Sequence, residues 1–182
     1  MKVVTNAREL PSACAFIPTM GALHDGHGSL FALATQYSED VVASIFVNPL
    51  QFENKDDLAK YPQTPEGDIE LAEKFGVTHI WFPTYEEIYP EGFTQLTAGP
   101  ISKLYEGASR AGHFDGVVTV VRRLFDLVKP KVAIFGEKDF QQLTLIREIA
   151  DEVEIIAAPI IREIDGLGNA ELVHLGMADS GI

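Results

Sequence analysis

Cys14-Ala15-Phe16-Ile17, then Pro18-Thr19-Met20-Gly21-Ala22-Leu23-His24-Asp25-Gly26-His27-Gly28, then Ser29-Leu30-Phe31-Ala32-Leu33-Ala34 is the stretch on which the fold turns. A short apolar run passes into a glycine-rich turn, and the turn opens into a segment whose apolar residues Leu30, Leu33, Ala34 and Tyr37 recur at helical spacing. Strand, turn and helix in that order are the first half of a βαβ unit. The glycines let the backbone bend sharply, and the N–H groups that open the helix suit an anion such as phosphate. Neither G-x-G-x-x-G nor G-x-x-x-x-G-K-[ST] is present here. The distinctive feature is His24 and His27, three residues apart around a glycine. They read either as hydrogen-bond donors to phosphate oxygens or as two polar residues of a turn.

The same alternation continues outward. Val41–Val47, Val77–Phe82, Val132–Phe135 and Val153–Ile161 read as buried strands. Helical spacing is found in Val117, Val121, Leu124, Phe125 and Val128, in Leu71, Ala72 and Phe75 before Gly76, and in Phe140, Leu143, Ile146 and Ile149. These elements predict a doubly wound, mostly parallel, Rossmann-like α/β sheet of about five strands. A single domain over residues 1–167 is expected, with a divergent tail at 168–182. Residues 84–113, rich in Gly and Pro, form a long irregular excursion of the kind that carries function.

Ligands of such sheets bind beyond the carboxyl ends of strands. Gly136-Glu137-Lys138-Asp139 occupies that place after the fourth predicted strand: Lys138 suits a phosphate and Asp139 a ribose hydroxyl, or Asp139 merely caps a helix. Gln141 and Gln142 put amides at the pocket mouth. Asn48 and Gln51 are neutral hydrogen-bonders after the second strand, where Asn-Pro also simply starts a turn. Arg110 and His113 bring positive charge to a carboxylate or phosphate, or are solvated. His79 reads as a core histidine, and His174 has no supporting motif.

The chain has 182 residues, 46% of them hydrophobic, and a formal net charge of −13, which disfavours nucleic acid and anionic membranes as partners. Cys14 is the only cysteine, so no internal disulfide forms. No apolar run has the length of a membrane span, and MKVVTNAREL (residues 1–10) lacks a signal peptide's apolar core, so a soluble cytoplasmic protein is expected.

Several blocks together resemble the pantothenate synthetase, or pantoate–β-alanine ligase, family. They are PTMGALHDGHGSL (18–30), SIFVNPLQF (44–52), DDLAKYPQTPEGD (56–68), YPEGF (89–93), LYEGASRAGHFDGVVTVVRRLF (104–125) and VAIFGEKDFQQLTLIREI (132–149). The resemblance implies that ATP activates pantoate as pantoyl adenylate and that β-alanine then displaces AMP. It implies His24, His27 and Lys138 as the catalytic phosphate contacts. Pro18, Thr19, Met20, Gly21, Gly136, Asp139 and Ile161 would complete the ATP site. Met20, Asn48, Gln51, Gln142, Arg110 and His113 would hold pantoate. Mg²⁺ would accompany the triphosphate with no ligand assigned to it, and the chain would pair as a homodimer. Three departures stand out. Gly168-Asn169-Ala170-Glu171 replaces the family's M-S-S-R-N, Gln63 replaces an arginine, and the family's C-terminal domain that closes over the site is expected to be absent. A site left open on the triphosphate side is therefore expected. Two other readings are an adenylyltransferase acting on a phosphorylated substrate and a degenerate nucleotide-binding or dimer-partner protein.

Overall fold

A computed structural model describes residues 1–159; Ile161, the Arg162–Leu167 block and the 168–182 tail lie outside the described residues. Six strands form one sheet in which every neighbouring pair is parallel: β1 (Lys2–Val4), β2 (Ala15–Thr19), β3 (Val41–Ile45), β4 (His79–Trp81), β5 (Val132–Gly136) and β6 (Glu154–Ala158). Their order is β1-β4-β3-β2-β5-β6. The helices are α1 (Asp25–Ala34), α2 (Lys55–Lys60), α3 (Pro65–Lys74), α4 (Tyr85–Ile88), α5 (Glu106–Ser109), α6 (His113–Val128) and α7 (Phe140–Ile149). The 84–113 excursion holds α4, a 3₁₀ turn over Pro100–Lys103 and α5, linked by irregular chain.

The fold class matches the expectation, with one strand more than the five read from the sequence. β1 is three residues long, exposed at Lys2 and Val3, and paired only with β4 at the sheet edge. A strand that short shows no period against which to recognise it. The helix expected to reach Tyr37 also stops earlier: α1 ends at Ala34, and Tyr37 is exposed.

Each face of the sheet has its own core, because alternate strand residues point to opposite sides. Phe16, Val42, Trp81, Ala133 and Phe135 pack with Val117, Val121, Leu124 and Phe125 of α6 and Leu143 and Ile146 of α7. Ala15, Ile17, Val41, Ala43, Ile80, Val132 and Ile134 pack with Leu30, Phe31 and Ala34 of α1 and Ala72 of α3. Gly28 belongs to this second layer. A Cβ there would lie 2.5 Å from the Phe75 ring, so the residue serves close helix packing. Cys14 is fully buried, and burial pushes its thiol up to about 12.

Strand order runs outward in both directions from the β2–β5 pair. That reversal opens a crevice at the carboxyl ends of these two strands.

Candidate active site at the strand switch point

Two adjoining pockets occupy the crevice. The first is lined by Pro18, His27, Leu30, Ile134 to Asp139, Gln142 and Pro159. The second is lined by Pro18, Thr19, Met20, Phe46, Asn48, Gln51, Gln142 and the α6 residues Val117, Val120, Val121 and Leu124. They share Pro18 and Gln142, so ligands in the two would meet at that point. The structure thus gathers the expected nucleotide residues His27, Gly136, Lys138 and Asp139 on one side. On the other it gathers the expected acid-binding residues Met20, Asn48, Gln51 and Gln142.

The turn between β2 and α1 is held from behind. Gly21 and Ala22 both have positive φ, +88° and +51°, a conformation that costs an alanine about 1–2 kcal/mol. Asp68, 1% exposed on α3, offsets that cost. Its carboxylate accepts the Ala22 N–H at 3.2 Å, the Leu23 N–H at 2.7 Å and the Thr64 hydroxyl at 3.0 Å. Gly21 is required here, since a Cβ would lie 2.9 Å from Asp68 Oδ2.

His24 caps α1: its Nδ1 accepts the Gly26 N–H at 3.1 Å. His27 Nδ1 receives the His24 N–H at 3.4 Å, and the two rings lie 4.1 Å apart. A neutral imidazole that accepts at Nδ1 carries its proton on Nε2, so each ring is a donor through Nε2. His27 is only 5% exposed, because the ring is packed into the first turn of the helix.

Gly136 has open space where a Cβ would stand, and Lys138 lines the same pocket. Asp139 has no side-chain cap bond in α7. Burial, opposed by Lys138 and Arg110 and reinforced by Glu106, pushes its carboxyl up to about 6. The fold therefore favours protonated Asp139, and this stabilisation, complete below the ordinary value of 3.8, is lost as pH rises through about 6. The expected result is that Asp139→Asn melts progressively higher relative to the parent between about pH 4 and pH 7. A melting difference flat across that range would contradict the assignment.

Two of the expected acid contacts take a different part. His113 is 2% exposed, and its Nδ1–H donates to the Gln51 carbonyl at 2.9 Å. Burial lowers its pKa, so it is a neutral ring positioning Gln51 and not a source of positive charge. Arg110 is ion-paired with Glu106 at 2.8 Å, and neither Arg110 nor His113 lines the second pocket. Gln141 likewise lines neither pocket; its Nε2 donates to the Ile101 and Leu104 carbonyls.

Asn48, expected as a direct ligand contact, has its amide fully used within the protein. Nδ2 donates to Gln51 Oε1 at 3.0 Å and to the Gly116 carbonyl at 3.2 Å. Oδ1 accepts the Leu50 N–H at 3.2 Å and the Tyr89 hydroxyl at 2.7 Å. That is two donors and two acceptor sites, the whole capacity of an amide. Gly116 lets the turn sit against α6, since a Cβ there would come within 2.4 Å of the Leu50 carbonyl oxygen. Sequence reading did not single out Asp68, Tyr89 or Gly116. All three lie within the quoted blocks, but only their distant partners reveal their roles.

A profile of the pantoate–β-alanine ligase family matches residues 1–171. The chain belongs to the pantoate–β-alanine ligase family. The pantothenate synthetase of Stenotrophomonas maltophilia strain K279a is 51% identical over 163 residues, covering 86% of this chain and 58% of that protein. That of Chloroherpeton thalassium is 54% identical over 159 residues, covering 85% and 56%. The pantothenate synthetase of Thermus thermophilus superposes with a TM-score of 0.86 at 45% identity, over 92% of this chain and 65% of the other. The pantoate–β-alanine ligase of Francisella tularensis, solved in complex with β,γ-ATP and β-alanine, also superposes at 0.86, with 36% identity over 92% and 70%. The chain thus spans between half and two thirds of the length of these curated relatives. Among the described residues, no helix is long and apolar enough to cross a membrane. None of the described His, Cys, Asp and Glu residues form a metal-holding group of three or more.

Proposed function

We propose that this chain carries the pantoate-activating site of a pantothenate-forming ligase. The observation that supports this best is the contrast between the two joined pockets. One holds His27, Lys138 and Asp139 at the switch point and suits a nucleoside triphosphate. The other combines apolar Met20, Phe46, Val117, Val120, Val121 and Leu124 with the amides of Gln51 and Gln142, and among the described residues no lysine or arginine lines it. A branched hydroxy acid fits such a wall. A phosphorylated substrate would need cationic partners there, which disfavours the adenylyltransferase alternative.

In this reading a pantoate carboxylate oxygen attacks the α-phosphorus of ATP, forming the acyl–phosphate bond and releasing pyrophosphate. The amine of β-alanine then attacks the acyl carbon, forming the amide of pantothenate, while AMP leaves with the bonding electrons. His24, His27 and Lys138 supply donors to charge that builds on the phosphate oxygens. Pro18, Thr19 and Gly21 shape the turn beneath the nucleotide, and Ile161 would join that site. Mg²⁺ enters with the triphosphate as part of the substrate. A homodimer in the cytoplasm is the assembly and location that go with this reading.

The test is exchange of labelled pyrophosphate into ATP with and without pantoate. Exchange that depends on pantoate supports the assignment. Exchange driven equally well by a phosphorylated acceptor, or absent while ATP binds, would overturn it.

A further inference from the structure

Little apolar burial holds the last part of the 84–113 excursion in place. Leu104 and Tyr105 are 53% and 83% exposed, and α5 is four residues long, preceded by Tyr105 at φ +50° and without a side-chain cap. A helix that short is not stable by itself in water. The 3₁₀ turn and α5 form one unit through their own backbone: the Leu104 N–H donates to the Ile101 carbonyl at 3.1 Å, the Gly107 N–H to the Leu104 carbonyl at 3.0 Å, and a Cβ on Gly107 would run into the Ser102 carbonyl. On one side Gly107 packs against the Phe114 ring of α6. On the other stands Gln141, in the first turn of α7. Its Nε2 donates to the Ile101 carbonyl at 2.9 Å and to the Leu104 carbonyl at 2.7 Å. A carbonyl oxygen only accepts, so these two partners fix which end of the amide faces them. Among the described residues, these are the hydrogen bonds that join the unit to α7.

The unit carries charge to the nucleotide side of the crevice. Glu106 and Arg110 of this segment, paired at 2.8 Å and half-buried, stand near enough to Asp139 for both to act on its carboxyl, together with Lys138 from its own loop. We infer that Gln141 is a positioning residue for that side of the site: its two donations clamp the 3₁₀ turn and α5 onto the first turn of α7, which seats the Glu106–Arg110 pair beside Asp139 and shelters that carboxyl from water. A sheltered carboxyl bonds a ligand hydroxyl more strongly than a solvated one, because water no longer competes. The raised Asp139 value of about 6 agrees, since burial is its main cause, with Glu106 adding to it and Lys138 and Arg110 opposing it. The inference rests on the proposed function for the identity of the nucleotide, but not for the clamp itself.

Gln141→Leu keeps the size of the side chain and removes both donations. Each carbonyl keeps its backbone donor, so the chain should still fold. Carbon-13 titration of the full chain should show the Asp139 midpoint falling from about 6 toward the ordinary 3.8. The Gly107 and Ala108 amides should exchange about tenfold faster, and calorimetry should show ATP bound about three- to tenfold more weakly with pantoate changed less than about twofold, the scale of one or two lost hydrogen bonds. Glu106→Gln, which leaves the clamp intact, should lower the Asp139 midpoint as well. An Asp139 midpoint unmoved by either substitution, whatever happens to melting, or equal weakening of ATP and pantoate, would overturn the inference. If the unsubstituted chain fails to bind ATP, the proposed function falls, and the titration and exchange results still judge the clamp.

Discussion

His27→Ala is expected to slow pantoate-dependent pyrophosphate–ATP exchange by about 10²–10³-fold, the usual effect of removing one fixed donor to developing charge. The ring is held before any ligand arrives: it sits in the first turn of α1, its Nδ1 takes the His24 N–H, and it lines the first of the two pockets. Its Nε2–H needs no reorganisation when charge moves onto the phosphate oxygens, and alanine offers nothing in its place. Because the ring is buried and belongs to the helix cap, the substitution also costs about 1–2 kcal/mol of stability. That cost is small beside the rate effect at temperatures well below melting. Exchange and thermal melting measured on the same preparation separate the two. Undiminished exchange by a protein that melts much earlier would show His27 to be a cap and nothing more.

Asp68→Ala should destabilise the fold by about 2–4 kcal/mol, since each buried donor left without its acceptor costs about 1–3 kcal/mol. Three donors lose their acceptor, and two of them are backbone N–H groups of the left-handed turn at Gly21 and Ala22. At 1% exposure, water does not readily take the carboxylate's place. At about 2–4 °C per kcal/mol for a domain of this size, melting should fall by roughly 5–15 °C. The loosened turn carries His24 and His27, so ATP should also bind more weakly than to the parent well below the melting range. Asp68→Asn keeps one acceptor oxygen and should lie between the two. A melting shift of under about 2 °C for the alanine variant would mean that the turn holds itself without Asp68.

Much of the fold was legible because its signals are local. β2, β3, β5 and α6 each announce themselves within a few residues by apolar runs or helical spacing, and β1 escapes because three residues at an exposed edge carry no such signal. Alternation of these elements implies parallel strands, and parallel strands imply a crevice at their carboxyl ends. On that ground alone His27, Lys138 and Gln142 could be placed in one site, and the structure puts all three on its walls.

What each side chain does there depends on residues far away in the chain, and only the tertiary structure decided it. Asn48 is saturated because Gly116 and Tyr89, 68 and 41 positions away, fold against it. His113 is neutral because it is buried 62 positions from the Gln51 carbonyl it holds. Ala22 keeps its unfavourable backbone because Asp68 reaches it from 46 positions along the chain. The sequence by itself determined which residue types stand at the ends of which strands, since strand and helix periods are properties of neighbours. Burial and hydrogen-bond partnership are properties of the packed whole, and they set charge, orientation and role.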